Sequence, residues 1–294
     1  MTGKHKISCS LIVRDEASTL EECLKSIRPH VDEICIVDTG SVDGTPEIAR
    51  RYADVFEVFL DCNCPKTGLI QDFALARNRS FELASHEFVC WFDGDDVVEG
   101  AEHLQALAEA ASKFDNAIVL CPYDYSFDAQ GNCTNRHYRE RLMRPRHKMR
   151  WITPIHEGCI LGEAQVGTML TTHSDLVRVI HRSRFSNKPR EPERNLRILK
   201  NYVAKVGEQD VRALYYLGLE YGHHGNIGDS LRLLERYVEL SKWDDEQCGA
   251  MLAIAQHYQT IGHHNQALHW AFRAMATKGW AAPYWTLTKS FYSL

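Results

Sequence analysis

Through the first 123 residues, short apolar runs alternate with stretches whose apolar residues recur every three or four positions. The runs predict strands at 7–13, 33–38, 55–61, 88–93 and 117–123, and the intervening stretches predict helices at 20–27, 46–53, 70–84 and 102–114. The second helix has a legible start, with Thr45 placed to cap it and Pro46 at the first helical position. This regular alternation predicts a doubly wound, Rossmann-like α/β domain whose strands end on one edge.

From about residue 187 the strand signals stop and helical periodicity takes over. Helices are predicted at 211–221, 229–240, 249–260 and 265–276, with a last one at 282–292 as a half repeat covering the final apolar face. Tyr221, Gly225 and Leu231 recur as Tyr258, Gly262 and Leu268, an offset close to the tetratricopeptide (TPR) period. The expected division is therefore an α/β domain over 1–186 and an all-α, TPR-like domain over 187–294.

The strongest chemical signal is where the fourth apolar run stops: Phe92 is followed by Asp93, Gly94, Asp95 and Asp96. Three carboxylates this close repel one another, and a divalent cation with oxygen ligands would relieve the repulsion. Other polar groups follow the other strands: Arg14, Asp15 and Glu16 the first, Asp38, Thr39 and Gly40 the second, Asp61 the third. In an open α/β sheet these converge on one crevice. No G-x-G-x-x-G follows the first strand, which argues against a dinucleotide cofactor and redox chemistry.

The chain has 294 residues and a net charge of −5, but the charge is unevenly spread. Residues 136–205 hold sixteen Lys and Arg against six acids, and seven of those basic residues fall within 136–150. Ten cysteines are present; Cys9, Cys35, Cys90 and Cys121 lie in strand-like runs and read as reduced core residues, and Cys62–Asn63–Cys64 has no second pair at zinc spacing. There is no apolar run of membrane-spanning length, and the N-terminus leads directly into a strand, so the expectation is a cytoplasmic protein without a membrane partner.

Four segments together resemble glycosyltransferase family 2 of the GT-A fold: Cys9 to Glu16; Val31 to Ser41 with Asp43 and Thr45; Asp72, Phe73, Ala74, Ala76, Arg77 and Asn78; and Phe92 to Asp96. Arg150–Trp151, Ile155–His156–Glu157, Val179–Ile180–His181 and Arg194–Asn195–Leu196 extend the resemblance to the branch with a C-terminal TPR array. The resemblance implies a metal-dependent, inverting transfer from a nucleotide sugar, a UDP sugar such as UDP-glucose, with Mn²⁺ or Mg²⁺ at the departing diphosphate.

It also implies roles. Asp95 becomes a metal ligand, with Asp93 sharing the metal or holding the ribose, Asp96 supporting them, and the strand-end His181 completing the site. Val13, Arg14, Glu16, Asp38, Arg77, Asn78, Asp93 and Gly94 border the donor, with Asp38 at the base and ribose and Arg77 at phosphate. Two local roles compete: Asp38 as cap of the following turn, and Arg77 as a surface residue. Glu157 is the expected general base and His156 the runner-up; a salt bridge to nearby arginines is the other reading of Glu157. The loop Cys62 to Gly68 departs from the family pattern, which leaves the donor sugar open.

Three readings of the acceptor follow. The basic belt at 136–150, with Tyr and His interspersed, suits a nucleic acid backbone, and a hydroxymethyl pyrimidine in DNA becomes the slightly favoured acceptor. The helical array suits a peptide or protein, modified at Ser, Thr or Cys, or a homodimer contact. A non-catalytic TPR adaptor with a degenerate sugar-binding domain would show damaged carboxylates, yet Asp38, Asp93, Asp95 and Glu157 are all present.

Overall fold

The computed structural model describes residues 5–162, 167–183 and 191–277. The chain divides into two units, Met1–Arg190 and Glu191–Leu294. The first opens with β1 (Ile7–Val13), α1 (Leu20–Ile27), β2 (Glu33–Asp38), α2 (Thr45–Tyr52), β3 (Val55–Val58), α3 (Phe73–Leu83) and β4 (Phe88–Asp93). Every residue of β1 is buried, Ser8 and Ser10 included, as is β4 up to Phe92, as strands covered on both faces should be. β3, β2, β1 and β4 lie side by side and parallel, with Val13 opposite Asp38 and Ile12 opposite Asp93. That register brings three strand ends to one edge.

The rest of the unit adds antiparallel strands and makes the sheet mixed. After Asp93 the chain makes a short β5 (Asp96–Glu99) and α4 (Leu104–Ala111), then two long strands, β6 (Asn116–Phe127) and β7 (Cys133–Arg144). β7 runs antiparallel between β4 and β6, so the basic segment is largely a sheet strand rather than a surface loop. Its outer half is exposed and its inner half buried, which hides the two-residue alternation that marks a strand. β8 (Met149–Ile152) and β9 (Gly158–Leu161) form a separate ribbon, while β10 (Met169–His173) and β11 (Arg178–His181) pair with β6.

α2 corrects the expected cap. Thr45 lies inside the helix, Gly44 precedes it, and Asp43 Oδ1 accepts from the Thr45 amide at 2.9 Å. The Thr45 hydroxyl instead accepts from the Glu16 amide at 2.7 Å, tying the turn after β1 to α2.

One glycine is indispensable to the route of the chain. Gly100 has φ +73°, and a Cβ there would lie 2.0 Å from the Leu176 carbonyl oxygen. This close approach accompanies the antiparallel pairing of β5 with β11. Gly100→Ala should therefore lower unfolding free energy by about 2–4 kcal/mol, combining left-handed strain with overpacking. A denaturant midpoint equal to that of the native protein would contradict this.

The second unit consists of helices α5 (Arg194–Val206), α6 (Val211–His223), α7 (Ile227–Leu240), α8 (Asp244–Thr260) and α9 (His264–Thr277) among the described residues. Gly225 and Gly262, the glycines of the repeat, have φ of +78° and +79° in the turns after α6 and α8. Each ends a helix in the left-handed conformation that glycine adopts without a Cβ penalty. The helix expected at 282–292 lies outside the described residues.

Candidate active site

The crevice is built at the ends of β1, β2 and β4. Asp38 is 1% exposed; its Oδ1 accepts from the Gly40 and Ser41 amides, both at 2.8 Å. Its Oδ2 is buried with no hydrogen-bond partner. One oxygen thus caps the turn, which is the local role expected of Asp38, while the other faces no hydrogen-bonding group among the described residues. Arg14 donates to the carbonyls of Gly68 at 2.9 Å and Thr39 at 3.3 Å, fastening the Cys62 to Gly68 loop to this edge. Gly94 sits in a close approach: a Cβ there would lie 3.2 Å from Glu16 Cγ and 3.3 Å from Val13 Cγ1. Glu16, 7% exposed, accepts from the Thr19 hydroxyl.

Arg77, on α3, joins two of the expected site residues. Its Nη2 donates to Asp93 Oδ1 at 2.8 Å and its Nε to Glu157 Oε1 at 2.6 Å. The guanidinium centre lies 4.2 Å from the Trp91 ring and 5.2 Å from Trp151. Arg77 is buried, so the surface reading is set aside, and its direct partners are two carboxylates. Burial would raise the Asp93 carboxyl, but Arg77 and Arg141 overcome that and hold it well below the usual carboxylate range. Asn78 exchanges hydrogen bonds with the Trp151 backbone, both at 2.9 Å, so its side-chain amide is committed to anchoring β8.

A second group forms beside the first. Asp95, Asp96 and His181 each offer a ligand atom, all within 4.8 Å of one another. The cause is topological: β5 follows the acidic turn directly and pairs antiparallel with β11, placing His181 opposite Asp96. The Arg182 amide donates to the Asp95 carbonyl at 2.8 Å, locking the two segments together. Asp96 is fully buried and accepts from the Asp93 amide at 3.0 Å and the Tyr123 hydroxyl at 3.1 Å.

Burial, together with Asp93 and Asp96, pushes the Asp95 carboxyl up to about 7 against the pull of His181. Burial would lower His181, yet Asp96 and Asp95 raise it to about 9. Carboxylates held so close that one resists ionising, joined by an imidazole, suit a hard divalent cation of the Mg²⁺ or Mn²⁺ type. The expected ligands were Asp93, Asp95 and His181. The structure groups Asp96 with the last two and turns Asp93 to Arg77.

Glu157 lies between β8 and β9, 11% exposed, with Arg139 donating to its carbonyl at 3.2 Å. Its neighbour His156 has φ +54°, as does Asp15 after β1. Non-glycine residues in this region are uncommon and cluster at functional sites. Sequence reading missed Tyr123, whose hydroxyl touches both Asp96 and His181 Nδ1, and Arg141. The one available signal was the period-two spacing of Arg139 and Arg141, visible only once 133–144 is recognised as a strand.

The family model described as glycosyl transferase family 2 matches residues 8–165. A TPR repeat-containing protein of Synechococcus elongatus is 31% identical over 152 residues, covering 52% of this chain and 35% of that protein. The putative glycosyltransferase EpsH of Bacillus subtilis is 28% identical over 159 residues, covering 53% and 44%. The chain thus spans less than half the length of these relatives. Among solved structures, S. aureus TarS residues 1–349 superposes with a TM-score of 0.49 at 11% identity, covering 94% of this chain and 92% of that one.

Proposed function

This chain belongs to glycosyl transferase family 2, and from that premise we propose that it moves a sugar from a nucleotide sugar, most simply a UDP sugar, to a hydroxyl of a macromolecular acceptor with inversion. The observation that carries the reading is the meeting of the β1, β2 and β4 ends with the Asp95, Asp96 and His181 group. The base and ribose lie against Asp38, whose Oδ2 awaits a donor. The diphosphate faces the acidic turn, where a bound divalent cation would neutralise charge on the leaving group.

In the transfer, the acceptor oxygen bonds to the anomeric carbon, the bond from that carbon to the diphosphate breaks, and the acceptor proton passes to a base. Glu157 fills that role, oriented through Oε1 by Arg77, with His156 as the alternative. Glu157→Gln should cut kcat by about 10²–10⁴-fold while changing UDP affinity little. Unchanged turnover would move the base to His156.

Two acceptors are carried forward. The slight lead of DNA rested on the basic belt. Five arginines of that belt spend donors on the chain itself: Arg136 on Asp124, Arg139 on Glu140, Arg141 on Trp91, Arg144 on Glu87 and Arg146 on Phe81. This weakens the electrostatic case for a phosphate backbone. The matching helical hairpins with their paired left-handed glycines favour a peptide on a repeat surface. UDP release from UDP-glucose with Mn²⁺, measured with and without 5-hydroxymethyl-pyrimidine DNA and with peptide pools, separates them. A sugar mass on the modified base identifies DNA, a glycopeptide identifies the second reading, and no release of the nucleoside diphosphate from any nucleotide sugar with either acceptor refutes the enzyme.

A further inference from the structure

Arg141, on β7, is 0% exposed, and its Nε and Nη2 have no hydrogen-bond partner. Its Nη1 donates to the Trp91 carbonyl at 3.0 Å. The guanidinium centre is 4.0 Å from the Trp91 ring, 4.5 Å from Tyr123 and 5.6 Å from Phe92. Nη1 lies 3.8 Å from Asp96 Oδ2, beyond hydrogen-bond range. A buried guanidinium with two idle nitrogens is costly, so hydrogen bonding does not account for its presence. What it supplies there is a permanent charge in a water-poor aromatic box, where Coulomb interactions reach further than in water.

The acids it faces are those of the crevice. Asp96 is its nearest carboxylate, 3.8 Å from Nη1. Arg77 is divided between Asp93 and Glu157, so Asp96 shares only His181 and Arg141 as cationic neighbours among the described residues. The acid cluster is therefore part-neutralised by the fold itself before any metal arrives.

We propose that Arg141 is an internal counterweight to the Asp93, Asp95 and Asp96 cluster. It is a positioning residue that weakens capture of a divalent cation alone and so couples metal uptake to a diphosphate-bearing nucleotide. This rests on reading Asp95, Asp96 and His181 as the cation site. A diphosphate brings the negative charge that Arg141 has offset, so metal and nucleotide each raise the affinity for the other, by equal factors.

The test titrates Mn²⁺ into the full chain, following free Mn²⁺ by electron paramagnetic resonance, with and without UDP. Arg141→Gln keeps a donor for the Trp91 carbonyl but loses the charge; Arg141→Lys keeps the charge. Expected is weak Mn²⁺ binding to the native protein, tightened by UDP. Arg141→Gln should bind Mn²⁺ alone at least tenfold more tightly, with the UDP effect reduced in proportion, and Arg141→Lys should stay within threefold of native. A folded Arg141→Gln with native affinity and native UDP coupling overturns the counterweight. If Arg141→Gln does not fold, Arg141→Lys decides: affinity within threefold of native supports charge as the active property, and a tenfold change overturns it. Native protein that binds Mn²⁺ neither alone nor with UDP removes the cation site itself, and the counterweight with it.

Discussion

Asp95→Ala is expected to lose sugar transfer and become more heat-stable in the same experiment. The activity loss should be at least about 10²–10³-fold, because a group stabilising the leaving diphosphate in a low-dielectric site acts mainly in the transition state. Stability should rise because the Asp95 carboxylate is 12% exposed and crowded by Asp93, Asp96 and Glu16. Burial and these acids raise it from an ordinary value of 3.8 to about 7.

For an acid, a folded value above the unfolded one means that ionisation opposes folding. The penalty is absent below about 3.8, grows between there and about 7, and is complete above. The gain in Tm on substitution should therefore be full at pH 8 and shrink toward pH 5. Calorimetry of both proteins at these two pH values, with UDP-release assays alongside, decides the matter. A folded Asp95→Ala enzyme with near-native turnover would overturn the metal assignment, and a lower Tm at pH 8 would show that Asp95 supports the fold. Stability traded for function is common at active sites.

Arg77→Met is expected to be the most destabilising single change in the crevice. It removes one cation from two carboxylates, of which Glu157 is 11% exposed and Asp93 28%. Breaking a buried ion pair costs about 3–5 kcal/mol, since the orphaned charge remains buried. For a unit of this size that corresponds to a Tm lowered by about 6–20 °C. Lysine should rescue only partly: an ammonium carries the charge but lacks the fork that reaches both Asp93 and Glu157, and its fit between Trp91 and Trp151 is poorer. A shift under 2 °C in Arg77→Met would mean that the two acids relax into solvent, and that the bridge is a local convenience rather than a support of the crevice.

These two residues show how unevenly the site could be read from the chain. Asp95 was visible because three acids close an apolar run at a strand end, although a solvated acidic turn has the same sequence pattern. Arg77 was visible as a crevice residue, but its partners were not: Glu157 lies eighty positions away, and nothing in local pattern signals that contact.

Local pattern by itself determined β1, β2, β4 and α1, whose observed bounds match those expected, and four helices of the second unit, α6 to α9, but not α5. There a single element's burial sets its periodicity, so the sequence of that element suffices. It also determined that Asp38 and Asp93 meet on one edge, because parallel strands share their direction, whereas Asp61 lies beyond the end of β3 at Val58. Only the tertiary structure decided that β7 enters the sheet antiparallel beside β4, burying Arg141 under the acidic turn, and that β11 pairs with β5, carrying His181 to Asp96. Those pairings join segments far apart in the chain through backbone hydrogen bonds, which are alike for every residue type and leave no residue-specific trace in the sequence.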